Sequence, residues 1–236
     1  MTDFHYFSVP TADQPGTLNP VYELLDFPIV MGRADDVVLT GPAPEKPLVD
    51  GREVTDPRLI AALSVPVELD RAEVLDRSSK LAGVLRTMGV IPESGAVLTL
   101  AEEVPPLARA LTLLAAARVG LRVDLRSGAS AGVTAGEVAS GSAGDSSAPI
   151  VVHGIEAETV EPGRASIKVT RSRFEGVGVT IDGETANLDQ AMRDSRVEFA
   201  AVVPLPPDQT LLFTDSGEID AMSSLEWLRR EVLSEP

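Results

Sequence analysis

Residues 67–125 read VELDRAEVLDRSSKLAGVLRTMGVIPESGAVLTLAEEVPPLARALTLLAAARVGLRVDL, and this stretch determines the fold class. Its first five residues predict a short strand, and the residues that follow, up to Met88, predict a helix. The apolar side chains of that helix recur at the spacing of one helical face: Val74, Leu81, Leu85 and Met88. Gly89 then stands where a left-handed C-cap is expected. The helix should therefore pack on a sheet through this face.

The second half of the stretch repeats the same order. Residues 96–100 predict another strand and residues 121–125 a third. Between them, residues 104–120 predict a helix with prolines in its first turn and Gly120 beyond its last turn. This helix is apolar nearly all round, as expected when a helix is buried on more than one side. Strands and helices that alternate in this rhythm predict right-handed crossovers and a parallel sheet.

The flanking regions predict packing elements and a mobile loop. Residues 19–32 predict a short helix with Asn19 as N-cap and Pro20 at its first position. The Gly/Ser-rich segment 127–148 predicts a mobile loop. We predict two regions: an arm and packing helix without an independent core at 1–60, and an α/β domain at 61–236.

The remaining elements follow from apolar patterning and turn signals. Residues 45–57 predict a loop or hairpin because Asp50-Gly51 is a turn pair. Further strands are predicted at 35–42, at 149–154, as an exposed antiparallel pair at 164–183, and as a last strand at 210–214. Helices are predicted at 187–195 and from Ser223 onward, where Glu226 completes a capping-box pattern and the apolar stripe comprises Leu225, Leu228 and Val232.

Composition excludes several classes of function. The formal net charge is -16 and the pI is near 4.5, so nucleic acids and anionic membranes are not expected partners. The chain has no cysteine, which excludes disulfides, thiol nucleophiles and thiolate-bound metals. No apolar run approaches the ~20 residues that span a bilayer, and the N-terminus lacks the pattern of a secretory signal. We expect a cytoplasmic protein, and its excess of arginine over lysine is typical of GC-rich, actinobacterial-type genomes.

Residues 211–220, LLFTDSGEID, contain the principal candidate site. An apolar strand, then Thr214, Asp215, Ser216 and Gly217, and then a capped helix would form a scaffold for an anion. The charges oppose this, because two unit charges ~4 Å apart interact with roughly 1 kcal/mol in water and ~4 at intermediate dielectric, whereas a helix N-terminus contributes about 0.3–1 kcal/mol. The loop is therefore not expected to hold a polyphosphate, unless Asp215, Glu218 and Asp220 bind Mg²⁺ and reverse the balance.

A second candidate is a nucleophile elbow at Gly128–Gly132, which would place Ser130 as the nucleophile. The helix that should follow such a serine is not predicted, and His153 is the only histidine downstream. We interpret this segment as part of the mobile loop, with a serine hydrolase as an alternative.

Two weaker patterns complete the set. His153 and Glu156 could supply two metal ligands, although His153 and His5 are the only histidines, and a hydrogen-bonded histidine at a strand end is the simpler interpretation. Gly176, Gly178 and Gly183 have the spacing of a loose dinucleotide fingerprint. They do not lie between a strand and a helix, as that fingerprint requires.

The order of these segments resembles the N-terminal part of the adenylate-forming (AMP-binding) acyl-CoA synthetase superfamily, and most of all its acetyl-/propionyl-CoA synthetase branch. The resemblance extends from about Leu18 to Asp220 and is best between Val67 and Leu125. The order and spacing of the segments support this resemblance more than any single motif does. It implies an α/β fold with a mostly parallel sheet flanked by helices and some antiparallel strands. Residues 205–220 fall where the family's phosphate loop is expected.

The departures from the family pattern determine the expected function. The family loop reads Tyr-Thr-Ser-Gly-Thr-Thr-Gly-x-Pro-Lys, whereas here Asp215 is inserted, acidic residues replace the Thr-rich half and the lysine is absent. The family's adenine pocket, hinge and mobile C-terminal domain would all come later. The resemblance therefore implies a truncated, degenerate relative with a vestigial phosphate loop and without ligase activity.

We therefore expect a non-catalytic domain that acts by binding and needs no cofactor. Its partner would be another protein, a second copy of itself or a small ligand, and apolar surface exposed by truncation would favour the first two. The alternatives are enzymes: a Mg²⁺-dependent domain that processes ATP, AMP or a CoA ester through residues 214–220, or a hydrolase that uses Ser130.

Overall fold

The computed structural model describes residues 4–43, 46–49, 52–88, 96–126, 150–154, 165–169, 176–181, 184–195 and 201–233. The helices in these ranges are α1 (Phe27–Val30), α2 (Pro57–Leu63), α3 (Arg71–Thr87), α4 (Pro106–Arg118), α5 (Leu188–Asp194) and α6 (Ala221–Glu231), and a π-helical turn (Tyr22–Asp26) directly precedes α1. In this part of the chain, no helix has the length and apolar character needed to cross a membrane.

The strands form one large sheet and two small ones. They are β1 (Val37–Gly41), β2 (Leu48–Val49), β3 (Arg52–Glu53), β4 (Val67–Asp70), β5 (Val97–Leu100), β6 (Arg122–Asp124), β7 (Ile150–Gly154), β8 (Ser166–Val169), β9 (Gly176–Ile181), β10 (Glu184–Ala186), β11 (Thr210–Thr214) and β12 (Gly217–Asp220). The large sheet has the order β10-β9-β8-β7-β5-β6-β11-β12. Its middle strands, from β8 to β11, are all parallel, and the outer strands are antiparallel to their neighbours. The predicted fold class is confirmed.

The middle strands carry rows of buried apolar side chains that run across the sheet. Leu98 is in register with Val123, which is in register with Leu212, and all three are at most 1% exposed. Because successive side chains of a strand point to opposite faces, such rows form one continuous apolar surface. Helix α4 contacts β6 and packs against α3. Since the strands are parallel, their carboxyl ends lie at the same edge of the sheet.

The N-terminal residues join the same hydrophobic core as the rest of the chain. Leu18, Val21 and Leu25 are fully buried and belong to the cluster that contains the sheet and α4. Asn19 caps the first helical turn as predicted, since its Oδ1 accepts a hydrogen bond of 2.9 Å from the backbone N–H of Val21. The division of the chain at residue 60 stays a prediction.

Strand β4 does not belong to the parallel sheet, contrary to the prediction. It pairs antiparallel with β1, with Val37 opposite Asp70, in a separate two-stranded sheet. The helix that follows it is present as predicted, and Asp70 caps it by accepting a hydrogen bond from the N–H of Glu73. The local pattern identifies a strand before a helix, but the partner of that strand depends on contacts between distant segments.

Other predictions of local structure differ in detail. The hairpin of β2 and β3 is confirmed, and so is the antiparallel pair of β8 and β9. Strand β8 is buried instead of exposed, because β7 lies beside it. Helix α2 was not predicted, and none of its side chains is buried. The Asp56-Pro57 pair, an N-cap followed by proline, was the available signal in the sequence. The predicted loop 127–148 lies outside the described residues.

Candidate functional site

The segment that resembles a phosphate loop is a tight β-hairpin. Strands β11 and β12 pair antiparallel with Thr214 opposite Gly217, so Asp215 and Ser216 alone form the turn. Gly217 adopts a φ of +127°, a conformation that glycine tolerates far better than other residues. The prediction of a strand, a turn and then a helix is wrong here, because the chain reverses into β12 first. β11 is not the last strand.

The hydroxyl groups of this turn bind each other and the hairpin backbone. Thr214 Oγ1 donates to the carbonyl oxygen of Gly217 at 2.8 Å. Ser216 Oγ lies 2.9 Å from the same Thr214 oxygen, so the serine is the donor in this second contact. Both side chains are therefore engaged inside the hairpin.

The N-terminus of the last helix lies at the other end of β12 from the turn. Helix α6 begins at Ala221, not at the predicted Ser223, and Asp220 is its N-cap: Asp220 Oδ1 accepts a hydrogen bond of 2.7 Å from the N–H of Ser223. At ~3.3 Å per residue, β12 separates the turn from this helix by about 10 Å. A carboxylate of the chain itself already occupies the positive end of the helix dipole. The capping box with Glu226 is not formed; Glu226 binds Arg229.

The three acids proposed to bind a metal have separate surroundings. Asp215 is in the turn and Asp220 is at the far end of β12, whereas Glu218 Oε2 accepts a hydrogen bond of 2.9 Å from Thr210 Oγ1. Mg²⁺ needs its ligand oxygens about 2.1 Å from the ion, so one ion would not reach both Asp215 and Asp220 in this geometry. Among the residues described, no group of three His, Cys, Asp or Glu side chains is arranged to hold a metal ion.

An arginine that the sequence did not point to lies beside the hairpin. The guanidinium of Arg126 is 5.6 Å from the centre of the Phe213 ring and binds both carboxylate oxygens of Asp124, at 2.9 and 2.5 Å. These hydrogen bonds raise the pKa of Arg126, and the charges of Asp215 and Glu218 raise it further. Part of the repulsion expected among the acids is therefore offset. Arg126 is not evident as a neighbour of the loop in the sequence, because it follows β6, which is distant from the hairpin along the chain.

The same pair determines the state of Asp124. The side-chain hydrogen bond from Arg126 is the main cause that lowers the pKa of Asp124, and burial of the carboxylate opposes it in part. Asp124 is 9% exposed at the carboxyl end of β6. The pair therefore positions Arg126 over Phe213, next to the hairpin.

A cleft of about 530 Å³ opens at the carboxyl edge of the parallel strands. This edge is where ligands bind in open α/β sheets, and the volume lies within the roughly 300–1,000 Å³ typical of small-molecule sites. Its walls come from β1, the first turns of α4, the end of β6, the hairpin turn and the last turns of α6: Leu39, Thr40, Pro106, Leu107, Arg109, Ala110, Leu113, Leu125, Thr214, Asp215, Ser216, Trp227, Glu231 and Val232. More than half of these side chains are apolar.

Two side chains give the cleft its character. Arg109 is half-buried on the first turns of α4, and burial lowers the pKa of its guanidinium, while the charge of Glu102 opposes that shift. Trp227 is the only tryptophan of the chain and is half-buried in the wall formed by α6. Neither residue was singled out from the sequence. The two residues come from α4 and α6, which are distant in sequence and line the same cleft.

The histidines are separate structural residues in the part of the chain that is described. His153 is buried at the end of β7, with Nδ1 3.0 Å from the carbonyl oxygen of Gly154, as expected for a hydrogen-bonded histidine at a strand end. Burial lowers the pKa of His153. His5 packs on the rings of Tyr22 and Phe27, with centroids 5.2 Å apart in each case.

The remaining sequence candidates have no described site. The elbow Gly128–Gly132 with Ser130, and also Glu156 and Gly183, lie outside the described residues. Gly176 and Gly178 are within β9. These two glycines do not connect a strand to a helix, as expected from the sequence, and a dinucleotide fingerprint requires that position.

Comparison with known proteins gives a similarity of fold. No protein-family model and no curated protein matches the chain. Among solved structures, CmiS6 is 13% identical with a TM-score of 0.50, and the match covers 94% of this chain and 44% of that chain. An acyl-CoA synthetase from Brucella canis is 15% identical with a TM-score of 0.47, covering 84% of this chain and 31% of that chain. Apo MatB from Rhodopseudomonas palustris is 18% identical with a TM-score of 0.38, covering 62% and 26%.

The chain spans less than half the length of each of these three proteins. At such identities the likeness concerns the fold alone. The class that the fold defines is a mixed α/β protein, with a large and mostly parallel sheet flanked by helices, of the architecture found in CmiS6.

Proposed function

We propose that this protein is a domain of adenylate-forming synthetase type that acts by binding a small organic molecule in the cleft, without adenylation chemistry and without a metal or nucleotide cofactor. The observation that carries the proposal is the closed hairpin beside an open, largely apolar cleft. The resemblance of the segment order to acyl-CoA synthetases supports the assignment to that superfamily.

The hairpin geometry supports the absence of polyphosphate binding. A phosphate cradle needs several backbone N–H groups and hydroxyls that are free to point at one anion. Here a two-residue turn separates paired strands, and the hydroxyls of Thr214 and Ser216 bind within the hairpin. The N-terminus of α6 is capped by Asp220. A polyphosphate would have to displace these contacts and approach the carboxylates of Asp215 and Glu218.

The cleft favours a small ligand among the three kinds of partner that the sequence leaves open. It has the volume of a small-molecule site and walls of leucine, alanine, valine and tryptophan, with a few polar groups, the combination typical of such sites. A second copy or another protein would instead need a broad exposed surface. Sedimentation velocity tests that possibility: a protein that remains monomeric at micromolar concentration would count against self-association.

The enzyme alternatives have a direct test. Isothermal titration calorimetry of ATP into the protein, with and without Mg²⁺, measures any nucleotide binding. Silence at millimolar ATP in both conditions is expected. Heat that appears only with Mg²⁺ and disappears in Asp215→Asn would show that the acidic loop holds a metal–nucleotide complex, and the proposal would then be wrong. Hydrolysis of an activated ester that is lost in Ser130→Ala would support the hydrolase instead.

Ligand binding in the cleft has an internal reporter in Trp227. The neutral dye N-phenyl-1-naphthylamine absorbs where tryptophan emits, so a dye bound in the cleft should receive energy from Trp227. Ala110, which is buried in the cleft wall, is replaced by leucine to fill the space. Ala110→Leu should weaken dye binding by about tenfold or more, the equivalent of ~1.4 kcal/mol.

The matched control is Ala61→Leu on α2, where the alanine is exposed and does not line the cleft. This variant adds the same atoms without filling the site, so it should bind the dye as the unmodified protein does. Circular dichroism establishes that both variants are folded. Unchanged energy transfer from Trp227 in Ala110→Leu would place the dye elsewhere and overturn the proposed site.

A further inference from the structure

The charge balance of the cleft depends on one cation. Arg109 lies on α4 between leucines of the wall, and among the described residues its side chain makes no ion pair. The charge of Glu102, an exposed residue, acts on it at longer range. A half-buried guanidinium keeps its charge because its pKa in water is far above neutrality, and burial without a partner is unfavourable. An anion beside Arg109 would remove this penalty.

The two acids of the wall do not supply that anion. Glu231 Oε1 accepts a hydrogen bond of 2.7 Å from Nε of its neighbour Arg230. Asp215 lies in the field of Arg126, whose pKa it raises. Glu231 is therefore paired outside the cleft, and the charge of Asp215 is partly offset by Arg126, whose hydrogen bonds go to Asp124. Arg109 is the arginine of the wall that forms no ion pair in the described part of the chain.

The rest of the wall limits what else the ligand can carry. Leu107, Leu113 and Trp227 offer apolar surface. Of the three hydroxyls in the wall, those of Thr214 and Ser216 are engaged within the hairpin, and the third belongs to Thr40. A ligand with several charges would leave most of them unpaired against apolar walls in a chain of net charge -16. One anionic group on an apolar body fits both parts of the cleft.

We infer that Arg109 is the residue that recognises the ligand, and that the ligand is an amphipathic organic monoanion whose charged group pairs with the Arg109 guanidinium while its apolar body lies against Leu107, Leu113 and Trp227. The planar fork of arginine suits a carboxylate or a sulfonate, which it can bind through two parallel hydrogen bonds. This inference rests on the proposed function, because it concerns the same cleft.

The test compares two dyes that differ by one charge. 1-Anilinonaphthalene-8-sulfonate carries a sulfonate on the same ring system as neutral N-phenyl-1-naphthylamine. Both are titrated with excitation of Trp227, and the part of the signal that Ala110→Leu removes is assigned to dye bound in the cleft. The unmodified protein should prefer the sulfonate. In Arg109→Gln this preference should fall by roughly tenfold or more, because the charge-assisted hydrogen bonds to the sulfonate are lost, while the affinity for the neutral dye stays nearly constant.

Two further variants separate the possible causes. Arg58→Gln removes the same charge at an exposed position on α2 outside the cleft, and it should leave the preference unchanged. Arg109→Lys keeps the charge but loses the fork, so it should retain part of the preference. If the neutral dye binds in the cleft and the preference does not depend on residue 109, the inference is wrong although the proposed function stands. If neither dye receives energy from Trp227, both are overturned.

Discussion

Thr214 donates a hydrogen bond of 2.8 Å from its hydroxyl to the carbonyl oxygen of Gly217, across the turn of the hairpin. This contact joins two of the residues that resemble parts of a phosphate loop. In such a loop the hydroxyl and the backbone would face a ligand; here they face each other. The physical difference is the length of the turn, since only Asp215 and Ser216 lie between the paired strands. This difference is the basis for proposing the neighbouring cleft as the ligand site.

Gly217 should be required for this hairpin because of its backbone conformation. Its φ of +127° is strained for any residue with a Cβ, although an added Cβ would meet no atom within 4 Å. Gly217→Ala should therefore lower the free energy of unfolding by about 1–3 kcal/mol, measured by urea denaturation. Ser216→Ala, which removes only the hydroxyl contact with Thr214, should cost less. Equal stability of Gly217→Ala and the unmodified protein would contradict the hairpin geometry.

Asp220 should act as a helix cap and not as a metal ligand. Asp220→Ala removes the acceptor for the N–H of Ser223 and should lower stability by about 1 kcal/mol. Asp220→Ser retains a capping oxygen without a charge, so it should restore most of that loss. Thermal unfolding of both variants is measured with and without about 5 mM Mg²⁺, at an ionic strength held at about 0.15 M so that screening is the same in both conditions. A Mg²⁺-dependent rise in melting temperature that Asp220→Ser abolishes would instead support the metal hypothesis.

The ion pair of Arg126 and Asp124 should make stability depend on pH. The pKa of Asp124 is lowered in the folded protein, mainly by its hydrogen bond with Arg126. The folded state therefore binds fewer protons than the unfolded state around the ordinary carboxyl pKa of about 3.9. The contribution of the Asp124–Arg126 pair to the free energy of unfolding is complete above that pH. It is lost as the pH falls through the lowered pKa of Asp124 in the folded protein. Arg126→Gln should remove roughly 1 kcal/mol at pH 7, a figure reduced because Arg126 is about half exposed.

The measurement is the urea midpoint of both proteins from pH 7 down to pH 2.5. The difference between them should shrink toward the acid end. Arg33→Gln serves as control, since the Arg33–Asp36 pair is exposed at both ends, 56% and 42%, and such pairs contribute little. A difference of the same size at every pH would mean that Arg126 stabilises the protein by packing on Phe213 and not through Asp124.

Local elements were largely predictable from the sequence because their signals are local. The strand and helix of residues 67–88 follow from spacing alone, and α4 follows from its prolines and Gly120. The antiparallel pairing of β4 with β1 was not predictable, since it depends on which distant segment packs beside it. The hairpin was missed for a related reason: Gly217-Glu218-Ile219-Asp220 has no apolar alternation long enough to indicate a strand.

The site was less predictable than the fold. The segment 214–220 was identified from its composition, but the cleft beside it is formed by side chains from β1, α4 and α6. Arg109 lies in a helix that was predicted from its apolar residues. An arginine in such a helix usually points to solvent, so nothing in the sequence was a reason to select it. In the folded protein Arg109 is half-buried and lines the cleft together with residues of β1 and α6. Residues that line one cleft from different segments have no fixed spacing along the chain, so one sequence cannot reveal them as a motif.

Asn19 should be the most sensitive polar position of the core. Its side chain is fully buried, and its amide donates to the carbonyl oxygens of Ala117, Arg118 and Val203 at 3.1, 3.2 and 2.9 Å. Asn19→Asp keeps the oxygen that caps the first helix but turns a carboxylate toward three carbonyl oxygens. We expect a loss of about 3 kcal/mol or more at pH 7, as for other buried charges without a partner.

This loss should itself depend on pH and, like that of Arg126→Gln, become smaller as the pH falls, although here the cause is a raised carboxyl pKa and not a lowered one. Burial would raise the pKa of the new carboxyl in the folded state, so the folded protein would bind the extra proton more tightly and Asn19→Asp would be less destabilised near pH 4 than at pH 7. The protonated acid can also donate to one of the carbonyls. Asn187→Asp is the matched control, because Asn187 is an exposed N-cap of α5 and aspartate caps as well as asparagine. Urea denaturation at both pH values should show a large, pH-dependent loss for residue 19 and almost none for residue 187; equal, small losses would mean that the Asn19 amide does not hold the arm to α4.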